Sequence, residues 1–417
     1  MAKRIWIVNY YTGTPETQSN PRYIQFARRF MDAGYDVVTF NSSLSAGTQE
    51  EQTSNGQMFL ARNYGDHKFV HVNAPAYKGN GLSRMKSIFS FAWSIYKHGK
   101  EFERPDVILH NIHTPFDYPI VWAAKKLNAK YVAEAWDAWP DVFAHLGLVS
   151  RSNPAFKVFE WVEKKLYQNA DQIVFTILGM KERIREKGWS METGGKVEMN
   201  RVHYINNGVD LEAFDRDREA WPRKDEDLNN PSLVKIVYLG SINRANHVHT
   251  LIDAARILLD MPMYKFFIYG DGADRDELVK KVAEEGVTNV VFKEKGIPLC
   301  EVAWVVSRAT VNVMNYQKGF GYMGVSSGKL FQYLAAGKPI VCNVKLAYDD
   351  VITENHLGIA KDIDTPEAFA QAIRDLAEMP RANYDAMCER VRKTAERFDY
   401  KKLAAEEIEV IEAVLKG

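Results

Sequence analysis

Apolar and polar positions along the chain switch repeatedly between two periods. Short apolar runs at 4–9, 37–40, 68–72, 105–110, 130–134 and 170–176 read as buried strands. Between them, residues 21–33, 116–127, 156–168 and 180–187 place apolar side chains at helical spacing. Strand, helix and strand of these lengths imply right-handed βαβ units and a parallel sheet. The alternation restarts with strands predicted at 234–239, 265–269, 290–292 and 310–314, and a helix over 249–259. Residues 216–231 are charged, proline-bearing and poor in apolar positions, and read as a linker or surface loop. The pattern predicts an α/β chain of two doubly wound, Rossmann-like domains, residues 1–200 and 201–397. A last helical stretch over 386–416 is broken at Phe398–Tyr400.

One helix stands out. Over Leu82–Lys97, Leu82, Met85, Ile88, Phe89, Phe91, Ala92, Trp93, Ile95 and Tyr96 fall on one wide arc, with serines and lysines opposite. A stripe this wide suits a helix packed into a core. It also suits one lying in a membrane interface, with Lys78, Arg84 and Lys86 toward anionic lipid. The two readings combine if the helix packs inward beside a lipid surface.

Composition narrows the classes. A chain of 417 residues is long for one core and favours two domains. With 54 basic and 54 acidic residues the net charge is zero, so no global field favours nucleic acid, and any anion site must be local. Three scattered cysteines supply neither a disulfide framework nor a zinc site, which suits a reducing cytosol. No secretory leader or membrane-spanning run is legible, so a cytoplasmic location is expected, at most at the inner face of the plasma membrane.

Candidate chemistry follows the strands, because parallel sheets bind ligands beyond the carboxyl ends of their strands. The Asn9–Asn20 loop carries Tyr10 and lacks a Gly-x-Gly-x-x-Gly fingerprint. His113 follows one strand. Glu134, Trp136 and Asp137 end another; a carboxylate among aromatics can act as a base or hold a sugar hydroxyl, and a helix cap is the structural alternative. Arg22 opens the first helix as a ligand group or as a solvated helix end. In the second half, Gly270-Asp-Gly272 is a turn at a strand end. The clearest stretch is Ser326-Ser-Gly-Lys-Leu-Phe-Gln-Tyr-Leu-Ala-Ala-Gly-Lys-Pro339. It reads as a small-residue loop, a helix ended by Gly337, and a turn into a strand. Its unpaired backbone N–H groups, its dipole and Lys329 suit a diphosphate, and an ordinary loop–helix–turn–strand link of an α/β protein is the alternative.

This stretch resembles the donor helix of the family-4 retaining glycosyltransferases. The nearest pattern is the bacterial polysaccharide subgroup's Ser-Pro-x-Lys-Leu-x-Glu-Tyr-x-Ala-x-Gly-Lys-Pro. Ser326, Lys329, Leu330, Tyr333, Ala335, Gly337, Lys338 and Pro339 match; Ser327 and Gln332 replace the proline and glutamate. Asn207, Gly208, Val209, Asp210 and Phe214 resemble the family's interdomain crossover, and Asp137, Trp139 and Pro140 its Arg-Asp-Leu-Trp-Pro loop. The resemblance implies a GT-B fold, two domains facing across a cleft, with helix 398–417 returning to the first. It implies transfer of a sugar, with retention, from a nucleotide-diphosphate donor to a hydroxyl acceptor, with uridine diphosphate the expected carrier. The second domain then holds the donor through Arg244, Asn246, Gly270, Gly272, Lys293, Ser326, Ser327, Lys329, Leu330 and Gln332. The first holds the acceptor near Tyr10, Arg22, Glu134 and Trp136, with Asp137, His113 and Lys329 in catalytic roles. No metal or other cofactor is implied, and a polyprenyl-linked glycan is an expected acceptor. Many relatives carry two glutamates where Gly324 and Gln332 stand here. That departure keeps two other readings open: a nucleotide-sugar epimerase and a non-catalytic sugar-nucleotide binder. A nicotinamide oxidoreductase is disfavoured by the missing glycine fingerprint.

Overall fold

The computed structural model describes residues 2–17, 21–44, 53, 56–79, 81–141, 144 and 149–416. Residues 18–20, the far end of the Asn9–Asn20 loop, lie outside them. The chain forms two compact units: Met1–Asn206 with Tyr400–Gly417, and Asn207–Asp399.

The first unit is built on strands β1 (Arg4–Val8), β2 (Asp36–Ser42), β3 (Phe59–Tyr64), β4 (His67–Val72), β5 (Val107–Ile112), β6 (Lys130–Ala135), β7 (Gln172–Phe175) and β8 (Val202–Tyr204). Their order is β3-β4-β2-β1-β5-β6-β7-β8, parallel throughout except for the β3–β4 pair. β3 escapes the apolar pattern because it is a half-exposed edge strand, Phe-Leu-Ala-Arg-Asn-Tyr. One face of the sheet is covered by the helices Arg22–Asp32 and Tyr400–Lys416. Phe26, Phe30, Leu403, Val410 and Ile411 pack there on Ile5, Ile7, Val107, Leu109 and Val132. Each such side chain contributes about 1.5–3 kcal/mol by leaving water. The last helix of the chain therefore belongs to the first unit's core. Helix Leu82–His98 buries Ile88, Phe91, Ala92 and Ile95, while Leu82 is 82% and Phe89 40% exposed.

In the second unit, strands β9 (Val234–Leu239), β10 (Tyr264–Tyr269), β11 (Val290–Phe292), β12 (Val311–Met314), β13 (Ile340–Cys342) and β14 (Gly358–Ala360) form one parallel sheet ordered β11-β10-β9-β12-β13-β14. Successive residues point to opposite faces. Ile236 and Tyr238 join the core under helices His249–Ile257 and Pro366–Ala377, while Val237 faces Trp304 and Val305 of helix Leu299–Ser307. Residues 216–231 are not a plain linker. Asp210 caps a helix over Leu211–Ala220, and Asp225 caps a short one over Glu226–Asn229. The charges that suggested a loop lie on the exposed faces of these helices and at their caps.

Candidate active site

The second sheet reverses strand order between β9 and β12, so the loops after them are the expected ligand edge. Helix Gly328–Ala336 begins here without a side-chain cap and ends at Gly337 in the left-handed region (φ 63°). The Leu330 N–H turns back to the Ser327 carbonyl (2.9 Å), which leaves the Gly328 and Lys329 amides for a ligand or water. The Tyr333 hydroxyl accepts the Leu239 N–H (2.9 Å) and fixes the helix against the end of β9. Asn207 reaches the same segment, donating to Ser326 Oγ from its backbone N–H (3.4 Å) and Nδ2 (3.1 Å). Thus the Asn-Gly-Val-Asp segment and the helix start stand together.

Lys329 Nζ donates to Asn246 Oδ1 (2.8 Å) and the Tyr238 hydroxyl (3.4 Å). It stands over the rings of Tyr238 (4.7 Å) and Tyr316 (4.9 Å). No carboxylate pairs with it among the described residues. Burial pushes its ammonium down to about 7, so the pocket strips water from a cation without supplying a counter-charge. Neither Tyr238 nor Tyr316 was singled out in the sequence; aromatic residues in a strand and its following loop look like core until the fold places them.

Beside this cation a cavity of about 250 Å³ is lined by Gly240, Ser241, Tyr269, Gly270, Lys295 and Ile297. Gly270 is required by close approach: a Cβ there would stand 1.9 Å from the Gly240 carbonyl oxygen, at φ 133°. At Gly272 a Cβ would meet the Ile242 oxygen at 2.2 Å. Other expected donor residues are placed differently. Lys293 turns away to pair with Asp225 (2.7 Å), because that carboxylate caps the neighbouring short helix; Lys295 lines the cavity instead. The Leu330 side chain is 2% exposed in the core, and its N–H donates to the Ser327 carbonyl (2.9 Å), so Leu330 presents no free group to a ligand. Arg244 is exposed, and Gln332 partly so.

In the first unit the order reverses between β1 and β5. Asn9, just after β1, places its Oδ1 2.9 Å from His113 Nε2, just after β5. Tyr11 meets the His113 ring edge-on at 4.6 Å and accepts from Arg84 Nε (2.5 Å). Desolvation, then the Arg84 charge, pushes His113 down to about 3, so its imidazole is neutral at physiological pH. The Asp117 carboxylate holds the His113 and Thr114 N–H groups. Asp137 is exposed beyond β6, next to β5, and its loop is anchored by Arg183 Nη2 on the Trp139 carbonyl (3.0 Å).

Tyr10, Arg22 and Glu134 do not present themselves as ligand groups. Tyr10 is 3% exposed and bonded to Ser87 (2.7 Å); Tyr11 takes the position beside His113. Arg22, far from being a solvated helix end, is 1% exposed. Its Nε donates to Glu134 (2.8 Å), and its Nη groups to the Ile205 (3.2 Å) and Asn206 (2.5 Å) carbonyls. Glu407 of the last helix stands 3.8 Å away, fully buried. Trp136 donates to Glu134 and stacks on Tyr23, making it a lid on this cluster. A buried guanidinium needs acceptors, and the interior supplies them.

Two Rossmann-like units of parallel sheet, with their candidate groups at the strand ends, define the GT-B class of glycosyltransferases. The family model described as Glycosyltransferase Family 4 matches residues 22–213, and that described as Glycosyl transferases group 1 matches residues 219–398. The chain belongs to the family-4 type of GT-B glycosyltransferases. It is 26% identical over 186 residues to TuaH of Bacillus subtilis, named as a teichuronic acid biosynthesis glycosyltransferase. That alignment covers 44% of this chain and 43% of the relative, less than half its length. Among solved structures, sucrose-phosphate synthase of Thermosynechococcus elongatus superimposes with a TM-score of 0.73, at 16% identity over 99% of both chains. HepE of Anabaena, solved in complex with UDP, gives 0.66 at 12% identity over 99% of this chain and 100% of that one.

Proposed function

We propose that the chain transfers a sugar, with retention, from a nucleotide-diphosphate donor to a hydroxyl acceptor in surface polysaccharide assembly. UDP-sugar is the proposed donor; a UDP complex of a fold neighbour supports that choice. The observation that carries the reading is Lys329, a cation without a carboxylate, beside an uncapped helix start. Both would stabilise charge developing on the leaving diphosphate, a task that needs neither a covalent step nor a metal. Asp137 and the neutral His113 are the proposed acceptor-side groups, and Arg244 and Lys295 further donor contacts. The matched families are transferases, which does not favour the epimerase or the non-catalytic binder.

The acceptor is proposed to be polyprenyl-linked, met at an anionic cytoplasmic membrane face. No described helix is long and apolar enough to cross a membrane. Support comes from a line of outward aromatics, Phe89, Trp93, Tyr96 and Trp122, with Lys97 over Trp93 and Lys126 over Tyr96. Helices Leu82–His98 and Pro119–Leu127 carry Arg84, Lys86, Lys97, Lys125 and Lys126 and no acidic residue, in a chain with equal numbers of both. Rings and lysines so mixed suit anionic lipid.

The test is thermal stabilisation by uridine, guanosine and adenosine diphosphates, followed by transfer from the matching sugar donor with the product anomer read by NMR. Stabilisation by UDP above the others and an acceptor-dependent product are expected. Indifference to all three nucleotides would remove the donor site, and sugar conversion without acceptor would turn the reading to epimerisation.

A further inference from the structure

We infer that the second unit carries a second anion site, at the opposite end of its sheet from the donor loops, shaped for a small phosphate-bearing ligand. Lys235 is the second residue of β9, Arg308 precedes β12, and Lys338 precedes β13. All three stand at the amino ends of strands, whereas Gly240, Asn315 and the Lys329 pocket follow the carboxyl ends.

A cavity of about 500 Å³ opens there, lined among others by Arg218, Trp304, Ser307, Arg308 and Lys338. Glu219 is its one acidic lining residue. Trp304 is 2% exposed, and neither its Nε1–H nor the buried Ser307 hydroxyl has a hydrogen-bond partner among the described residues. Arg218 has only loose carboxylate neighbours, Asp215 at 3.5 Å and Glu219 at 3.9 Å. Arg308 is exposed and Lys338 half-buried, and neither makes an ion pair among the described residues; Arg308 lies over the Trp304 ring at 5.0 Å. Lys235 feels both: after burial, the Arg308 and Lys338 charges press its ammonium down.

The lining thus offers cations, with two unspent donors buried just behind them. Each buried donor left unmade costs about 1–3 kcal/mol. Water can solvate these groups but brings no counter-charge. A phosphate group answers both, since it is anionic and accepts from every side. The donor diphosphate is not that ligand, since its proposed contacts lie at the other end of the strands.

The test is an indole ¹H–¹⁵N titration of the full chain with inorganic phosphate, against chloride at matched ionic strength. Trp304→Phe assigns the reporting signal. The Trp304 signal is expected to shift saturably with phosphate in the parent chain and in Lys329→Ala alike. Arg308→Ser with Lys338→Ser should weaken the apparent affinity by about tenfold or more. If that pair does not give a folded spectrum, Lys338→Gln alone carries the test, with about threefold weakening expected. A Trp304 signal unmoved by phosphate, an equal shift with chloride, loss of the shift in Lys329→Ala, or unchanged affinity in the charge variants would each overturn the site.

Discussion

Two sequestered cations, one in each unit, show how the same physics serves different ends. Arg22 arrives in the interior with its partners already present: the Glu134 carboxylate, two backbone carbonyls and, 3.8 Å away, the Glu407 carboxyl. Lys329 is half-buried and has an amide, a phenol and two ring faces for company. A cation supplied with internal anions is part of the scaffold. One left without them is poised for an anion from outside, and its depressed ammonium records the deficit. The comparison separates structural from functional charge where the sequence shows only an Arg and a Lys near helix starts.

The sharpest way to break the contrast is to remove each cation in turn. Arg22→Ala strands the buried Glu134 carboxylate, and should cost about 3–5 kcal/mol of stability in denaturant titrations. UDP affinity of the folded fraction should hold. An unaffected stability would mean Arg22 is not structural.

Lys329→Met should do the opposite, weakening UDP binding more than tenfold in calorimetry while leaving stability near pH 7 intact or improved. The pH sign follows from its position. Folded Lys329 releases its proton near 7, the unfolded side chain near 10.5. Between these values the unfolded state binds more protons, so this group's contribution makes stability rise with pH. Bound diphosphate favours the charged ammonium, so UDP affinity should fall above pH 7 by up to about tenfold per pH unit. A flat affinity from pH 7 to 9 would remove Lys329 from the diphosphate.

Asp137→Asn probes the acceptor side. Turnover should fall by about a hundredfold with UDP affinity unchanged; near-normal turnover would exclude Asp137 from the chemistry.

The smallest effect is expected at Glu407. Burial, then the neighbouring Glu134, raises its carboxyl to about 8 against 4.5 unfolded. In that window the folded state holds the extra proton, so its contribution to stability fades as pH rises from 4.5 toward 8. Glu407→Gln should flatten this slope in melts at pH 5 and 8 while leaving donor binding untouched. A slope unchanged by the substitution would mean that Glu407 does not titrate there.

Much of the fold was legible because periodicity is a local property. The βαβ alternation, its restart near residue 234, and the helix–turn–strand around Gly337 depend on spacing and on backbone freedom that neighbours in sequence set themselves. The edge strand β3 and the helix Leu211–Ala220 were not, because half-exposed elements carry a diluted apolar pattern. Of the candidate sites, the sequence marked the loops at the strand ends and the Ser326–Leu330 segment, which the fold sets at the carboxyl edges of the two sheets. It could not say that Lys293 turns to Asp225 or that Lys295 lines the cavity.

By itself, then, the sequence determined two parallel α/β units and the helix whose first turn is short of partners. Only the tertiary structure decided which charges are spent. Counter-charge is a matter of a few ångströms across the chain: Arg22 meets residues 112, 184 and 385 positions away, and Lys329 meets Asn246 and Tyr238 from 83 and 91 positions away. No local pattern encodes those distances, because the energy of a charge depends on what surrounds it in space.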